Sequence, residues 1–356
     1  MITLFGATGY TGRLVARALD RAGLPYRIAG RSPGALADLS ESLPARPAWV
    51  VADIAQPETL NGLLDGTRVL ANTVGPFTDL GEPVVARAAA SGVHYLDTTN
   101  ELGYVYQMQS YDALARGTGA AIVPSCAFEV ALSDCAAELA ARELVPPVDE
   151  ISVTYHVSGG GSSLGTRRSA VRSLATSWLA YRGGQWVRSI PGRHTRQVNL
   201  PHGERTALSF PSSETVTVPA HVAVRDVTTW MVISRRAGAW APVLVPAFAR
   251  LAGTPASKLL EALIARVMPP DSGLRSDAPF TIQVTARYGD EAHHHTLTGQ
   301  GVYDLTGEIV AYAAGVLHAD GYRRSGVLPP ALALDPDAFL AHASTHWRVR
   351  LDPPSV

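Results

Sequence analysis

The chain has 356 residues, which suits two domains of ordinary size better than one core. With 46% hydrophobic and 17% charged residues it reads as globular rather than disordered, and a net charge of -1 gives no overall field to attract nucleic acid or an anionic membrane. Two cysteines, Cys126 and Cys135, supply neither a disulfide framework nor a thiolate metal cage, so a reducing, cytoplasmic setting is the expectation.

Strand and helix signals alternate from the first residues. Ile2–Phe5 reads as a strand, Tyr10–Ala22 as a helix with an apolar face at Leu14, Val15, Ala18 and Leu19, and Tyr26–Ala29 as a second strand. A helix over Gly34–Leu43, a strand at Trp49–Ala52 and a helix near Pro57–Leu64 follow. Val69–Thr73, Val93–Leu96 and Ala121–Val123 read as further strands, with helices at Glu82–Ser91, Glu101–Arg116 and Leu132–Arg142. This rhythm predicts an α/β fold of the Rossmann type, a doubly wound parallel sheet, over residues 1–145.

The pattern changes at Val145-Pro146-Pro147. Residues 146–308 read as an inserted α+β domain for substrate or dimerisation: an alternating strand at Ile151–Val157, a Gly/Ser-rich loop at Ser158–Leu164, a helix over Arg167–Tyr181, several strands within 185–236 and a helix at Pro255–Met268. Phe280–Tyr288 and Thr296–Tyr303 pair as a hairpin around Gly289–His295. His293-His294-His295 are then a polar hairpin tip and no metal site is expected, because strand neighbours point to opposite faces. Residues 309–356, with helices at Ile309–His318 and Pro336–Ala343, are expected to return in part to the first domain. No apolar run reaches the roughly 18–20 residues that span a bilayer, and no cleaved leader is expected, since its removal would carry away the first strand.

The first strand runs directly into Gly6-Ala7-Thr8-Gly9-Tyr10-Thr11-Gly12 and then a helix, the setting a dinucleotide fingerprint requires. Gly6 permits the tight turn, Gly9 admits the pyrophosphate to the backbone and Gly12 lets helix and strand pack closely. The helix N-terminus offers N–H groups and partial positive charge to the phosphates, with Thr8 and Thr11 adding hydroxyls. The second strand ends in Gly30-Arg31-Ser32 rather than in an acid, so Arg31 and Ser32 point to a 2′-phosphate and hence to NADP(H). Asp53 is open to two readings, an acceptor for the adenine amino group or a local cap. Asn72, Thr73, Val74, Gly75, Pro76 and Phe77 leave the fourth strand at the edge where α/β ligands sit and would bound the nicotinamide end.

Catalytic candidates are fewer. The only lysine, Lys258, has Thr254 four residues before it, so the Tyr-x-x-x-Lys pair of short-chain dehydrogenases is absent. Cys126 and Glu129 follow the sixth strand on the same edge and are catalytic candidates, Cys126 as a nucleophile against a buried small residue; Tyr155 and His156 open the second domain, one of them a candidate proton donor against a satisfied strand residue. Asp97 and Glu101 are acids or orienting groups on one reading and caps or surface charges on the other.

The glycine turn, the Gly30-Arg31-Ser32 corner, Asn72–Phe77, Gly81-Glu82-Pro83-Val84-Val85 and Gly92-Val93-His94-Tyr95-Leu96-Asp97 together resemble the saccharopine dehydrogenase-like oxidoreductases, within that group most nearly the short trans-acting enoyl reductases. Pro124-Ser125-Cys126-Ala127-Phe128-Glu129 departs at Ala127 and Glu129 from the Pro-Ser-Cys-Gly-Phe-Asp run usual there. The resemblance implies NADPH-dependent hydride transfer to a C=C bond of a small-molecule or carrier-linked substrate. Reduction of a C=N bond is the enzymatic alternative, a non-catalytic NADP sensor or scaffold the other, and homodimerisation is left open.

Overall fold

The computed structural model describes residues 1–158, 169, 173, 178–252 and 277–355. Most of the Gly/Ser-rich loop, most of the helix expected at 167–181 and the helix expected at 255–268 lie outside the described residues.

The chain divides into two compact units. The first opens with β1 (Ile2–Phe5), α1 (Tyr10–Arg21), β2 (Tyr26–Gly30), α2 (Pro33–Ser42) and β3 (Trp49–Val51). A 3-10 turn at Pro57–Leu63 leads to β4 (Val69–Asn72), α3 (Phe77–Leu80), α4 (Glu82–Ala90), β5 (His94–Asp97), α5 (Leu102–Met108), α6 (Asp112–Thr118), β6 (Ala121–Val123) and α7 (Phe128–Arg142). Strands β1, β4 and β5 are buried along their whole length, the mark of a parallel sheet covered on both faces. Helix α1 buries Val15, Ala16, Ala18 and Leu19, a stripe at helical spacing, in which Val15 and Leu19 each stabilise the layer by roughly 1.5–3 kcal/mol when fully buried.

The second unit begins its sheet with β7 (Val148–Val157) and adds β8 (Leu179–Arg182), β9 (Gln185–Arg188), β10 (Thr195–Leu200), β11 (Gly203–Ser209), α8 (Glu214–Thr217), β12 (Val224–Ile233), α9 (Arg235–Ala252), β13 (Pro279–Tyr288) and β14 (Glu291–Gln300). The chain then passes through α10 (Val302–His318), β15 (Gly326–Val327), α11 (Pro330–Ala333), α12 (Pro336–His346) and β16 (Arg350–Ser355).

In the first unit the sheet order is β15-β6-β5-β4-β1-β2-β3, all pairs parallel, which is the Rossmann order with β15 added outside β6. Helix α10 packs back on α1: a Cβ at Gly307 would lie 3.0 Å from the Leu14 carbonyl, and Arg21 pairs with Glu308. The second sheet runs β10-β11-β12-β7-β13-β14-β16, with β8 pairing β12 and β9. Strand β7 is parallel to β12 and antiparallel to β13. Ile151, Val153 and Tyr155 stand opposite Ala286, Val284 and Ile282 and form a buried face, while Ser152, Thr154 and His156 face the other way beside Thr285, Gln283 and Thr281. Hairpin β10–β11 reaches that polar face through Arg196, which donates to Ser152 (2.5 Å) and lies 4.1 Å over the Trp230 ring.

Three expectations change. The turn between β13 and β14 is only Gly289-Asp290, closed by the pair Tyr288–Glu291, so His293, His294 and His295 lie within β14 rather than at its tip. Glycine at the first position of a two-residue loop (φ +58°) makes the shorter connection possible. Val302 and Tyr303, expected to end a strand, begin α10, because Gly301 at φ +76° breaks the strand there. Finally, the compact units are 1–99 with 104–131 and 303–334, against 100–103 with 132–302 and 335–356. The division therefore runs through α7 instead of falling at 145. The returning segment starts at Tyr303 and ends at Leu334, and β16 pairs with β14 in the second unit.

Candidate functional site

The glycine turn has the geometry its sequence demands. Gly6 sits at φ +84°, and a Cβ there would come within 2.7 Å of the Thr73 hydroxyl. A Cβ at Gly12 would meet the Gly6 carbonyl oxygen at 2.1 Å, so the helix approaches the strand to a distance only glycine allows. At Gly9 a Cβ would meet only the Gly6 carbonyl, at 3.3 Å, leaving the space above its backbone otherwise open. The turn is tied down by Gly9 N–H to Gly6 O (3.0 Å), Gly6 N–H to Ala29 O (3.0 Å) and Arg13 Nε to Thr8 O (3.1 Å). Helix α1 has no side-chain cap and no acid in its first turn, so its own side chains leave the N-terminal dipole unneutralised. Tyr10 packs edge-on against Tyr303 at 5.1 Å, and Thr11 is half-buried beside it in the chain.

At the end of β2, Arg31 is exposed and, among the described residues, has no hydrogen bond or ion pair. Ser32 caps α2 by accepting from Ala35 N–H at 3.4 Å. Asp53 is committed locally: its Oδ1 accepts from Ala55 N–H at 3.0 Å, closing a turn before the 3-10 segment.

At the carboxyl ends of β4, β5 and β6 lies a buried polar network. The Val74 N–H donates to Asn72 Oδ1 (3.0 Å), Asn72 Nδ2 donates to the Tyr95 hydroxyl (3.1 Å), and that hydroxyl donates to Asp97 Oδ2 (3.0 Å). Asp97 Oδ1 accepts from the backbone of Thr99 (3.1 Å) and Ser125 (3.0 Å). Tyr104 joins through its hydroxyl, 3.3 Å from that of Tyr95, and its ring packs 5.9 Å from Phe77. Burial and then the nearby Asp97 charge raise the Tyr95 pKa well above its ordinary value, so its phenol stays a neutral donor. Ser125 takes a left-handed φ of +63°, and its Oγ is buried without a hydrogen-bond partner among the described residues. The network pins the turn from Thr73 to Phe77, where Thr73 also donates to Phe5 O (3.0 Å) and the Gly75–Pro76 peptide is cis.

Tyr95, Tyr104 and Ser125 escaped the sequence reading. Tyr95 had a signal, since it lies two residues before Asp97 on one strand and so faces the same way. Of the catalytic candidates, Cys126 is fully buried, with its sulfur 4.0 Å from Val123 O and its N–H on Asp97 O, which places it as a packed residue of the network. Glu129 is half-buried in the first turn of α7. Glu101 is buried, accepts from Ser169 at 2.6 Å and belongs to the second unit.

Tyr155 and His156 lie in the second unit on opposite faces of β7. The Tyr155 hydroxyl is 3.0 Å from Ser133 Oγ, which donates to Glu214 Oε1 at 2.6 Å; Ser212 donates to the other Glu214 oxygen. His156 Nε2 is 3.3 Å from the Ser158 hydroxyl, and burial followed by His202 and Arg205 lowers its pKa. The three histidines of β14 do not converge on a metal, and no metal-type cluster occurs among the described residues. His293 pairs instead with Glu143 (2.7 Å) and Glu291 (3.1 Å). No described helix is long and apolar enough to cross a membrane.

A parallel sheet in this order, with an uncapped glycine turn at its first strand-to-helix junction, defines a dinucleotide-binding unit. More particularly, residues 2–123 match the family described as the saccharopine dehydrogenase NADP binding domain. The chain is 35% identical over 195 residues to a trans-acting enoyl reductase of Mycobacterium ulcerans (strain Agy99), covering 51% of this chain and 47% of the relative. It is 39% identical over 139 residues to one of Mycobacterium bovis (strain BCG / Pasteur 1173P2), covering 37% and 33%. The chain thus spans less than half the length of these relatives. Its fold matches the apo saccharopine dehydrogenase (L-Glu forming) of Saccharomyces cerevisiae with a TM-score of 0.65 and 12% identity, over 100% of this chain and 99% of that one.

Proposed function

We propose that the protein is an NADPH-dependent reductase that delivers hydride to the C=C bond of an enoyl substrate, either small or carrier-linked. The observation that carries the reading is the pairing of the open glycine turn with an unpartnered Arg31 at the end of β2. The turn suits a pyrophosphate and Arg31 a 2′-phosphate, which a guanidinium binds bidentately. The names of the matched relatives support the enoyl assignment. Bound NADPH would supply the hydride. The Asn72–Tyr95–Asp97 chain would hold the turn at Thr73–Phe77 against the nicotinamide end, and Ser32 would add a hydroxyl beside Arg31.

Among the candidate proton donors, Tyr155 is the one whose hydroxyl ends a hydrogen-bonded chain, through Ser133, to a carboxylate, Glu214. Such a chain fixes the direction of the Tyr155 hydroxyl. Cys126, with its N–H on Asp97 O and its sulfur beside Val123 O, is left to the packing of that network, and His156, whose pKa is lowered, is the weaker acid store at neutral pH. The test is NADPH oxidation across enoyl thioesters and cyclic imines. Turnover of the thioesters is expected, with kcat falling at least tenfold in Tyr155→Phe while NADPH affinity stays constant. Turnover of imines alone would move the assignment to C=N reduction, and silence across both panels would make the protein an NADP sensor or scaffold.

A further inference from the structure

The second unit contains a cavity of about 220 Å3 lined by residues of β8, of the stretch from Ser189 to His194, of the stretch from Ser209 to Thr215, and of β12. None of its lining residues belongs to the glycine turn or to the first unit. Leu179, Ile190, Phe210 and Trp230 give it apolar walls. No aspartate or glutamate lines it; its charged residue is Arg182, joined by His194 as the second basic side chain. Arg182 is exposed and its side chain makes no hydrogen bond or ion pair among the described residues.

The walls are held in place. Phe210 N–H donates to Thr229 O at 3.0 Å, and the Thr229 hydroxyl donates back to the Phe210 carbonyl. The indole N–H of Trp230 is taken by Thr228 Oγ1 at 3.0 Å, and Arg196 stacks on the ring at 4.1 Å. What Trp230 can still offer an occupant is therefore apolar ring surface. His194 N–H donates to Ser209 Oγ at 3.1 Å, and Ser209 N–H donates to His194 O at 2.8 Å, fixing the side of the cavity where the histidine stands. A preformed concave site with apolar walls and a few converging polar groups is the usual form of a small-molecule site, and this one is below the roughly 300–1,000 Å3 typical of such pockets.

We infer that this cavity is a second binding site, for a small amphipathic carboxylate whose apolar body packs on Trp230 and Phe210 and whose carboxylate pairs with Arg182. A guanidinium with no protein partner favours a carboxylate over a neutral polar head, because the pair is charge-assisted and bidentate. The site is independent of the reductase reading, since it shares no residue with the dinucleotide turn.

The test is titration of 2-naphthoate into the full chain by calorimetry, with 2-naphthamide as the neutral analogue of the same shape, both with and without saturating NADPH. Saturable one-to-one binding of the naphthoate is expected, at least fivefold tighter than the amide and unchanged by NADPH. Arg182→Ala should erase the preference for the acid. Ala180→Trp, which puts a large ring on a lining position, should abolish binding while the melting temperature and NADPH affinity stay as in the wild type. If that variant does not fold, Arg182→Ala decides alone. No saturable binding, equal affinity for acid and amide, displacement by NADPH, or a preference that survives Arg182→Ala would each overturn the assignment.

Discussion

Replacing Gly12 with alanine tests whether the glycine turn is built by contact or merely by habit. The added Cβ would lie 2.1 Å from the Gly6 carbonyl oxygen and 2.8 Å from the Ala7 Cα. Ordinary contact begins at 3.4 Å, so α1 must retreat from β1 by roughly 1.3 Å. Both obstructing atoms are backbone, and no side chain can swing aside. Overpacking of this kind costs about 1–3 kcal/mol, and the absence of a flexible neighbour puts Gly12→Ala at the upper end. The retreat also carries the α1 N-terminus off its place beside Gly6, so NADPH affinity should fall at least tenfold. Gly34→Ala is the matched control. Gly34 lies in the first turn of α2 with nothing within 4 Å of its would-be Cβ, and alanine there should be neutral or stabilising by up to about 1 kcal/mol. Melting followed by circular dichroism, with NADPH titration by fluorescence, reads both variants. A Gly12→Ala protein that melts with the wild type and binds NADPH equally would refute the contact argument.

Two further outcomes follow from buried polar groups. Tyr95→Phe removes one partner from Asn72 Nδ2 and one from Asp97 Oδ2, both fully buried, and should cost about 1–3 kcal/mol while raising the KM for NADPH; an unchanged melting temperature would show that the network bears no load. His221 is enclosed between Asp134 (3.0 Å) and Glu138 (2.8 Å); burial opposes its charge, but the two carboxylates outweigh burial and raise its pKa to about 9. A folded pKa above the unfolded value near 6.5 means that its stabilisation is fully present below 6.5 and is lost as pH rises through about 9. Urea unfolding at pH 6 and pH 10 should therefore differ more for the wild type than for His221→Gln, and an equal pH dependence in both would contradict the pairing.

Much of the first unit was legible because its constraints are local. Gly12 answers to Gly6 and Ala7, a few residues back, so the spacing exposes the turn, whereas the atoms that bar a Cβ at Gly6 belong to Thr73 and Val74 and no local pattern announces them. The polar network was not legible, because Asn72 meets Tyr95 and Asp97 only through the register of β4 on β5, which pairs Leu70 with Tyr95 and Asn72 with Asp97. The same holds in the second unit. The alternation of Ile151, Val153 and Tyr155 announces a strand with one buried face, yet nothing near it in sequence announces that its partner is β12, parallel and far along the chain. His293 to His295 misled for a related reason: three polar residues suggest a loop, but here His293 and His295 are buried and His293 finds Glu143, on a distant segment. The start of α10 was missed because Gly301 ends a strand and the next residue begins a helix, with no connecting loop to mark the change.

If the first unit holds the phosphorylated dinucleotide, Arg31 is the residue that reads its phosphate. Parallel titration of the wild type and Arg31→Ala with NADPH and NADH tests it most directly. The wild type should prefer NADPH by at least about tenfold, as a charge-assisted hydrogen bond of roughly 1.5–3 kcal/mol requires, and Arg31→Ala should lose NADPH affinity while keeping that for NADH. Equal wild-type affinity for the two cofactors, or binding of neither, would contradict it.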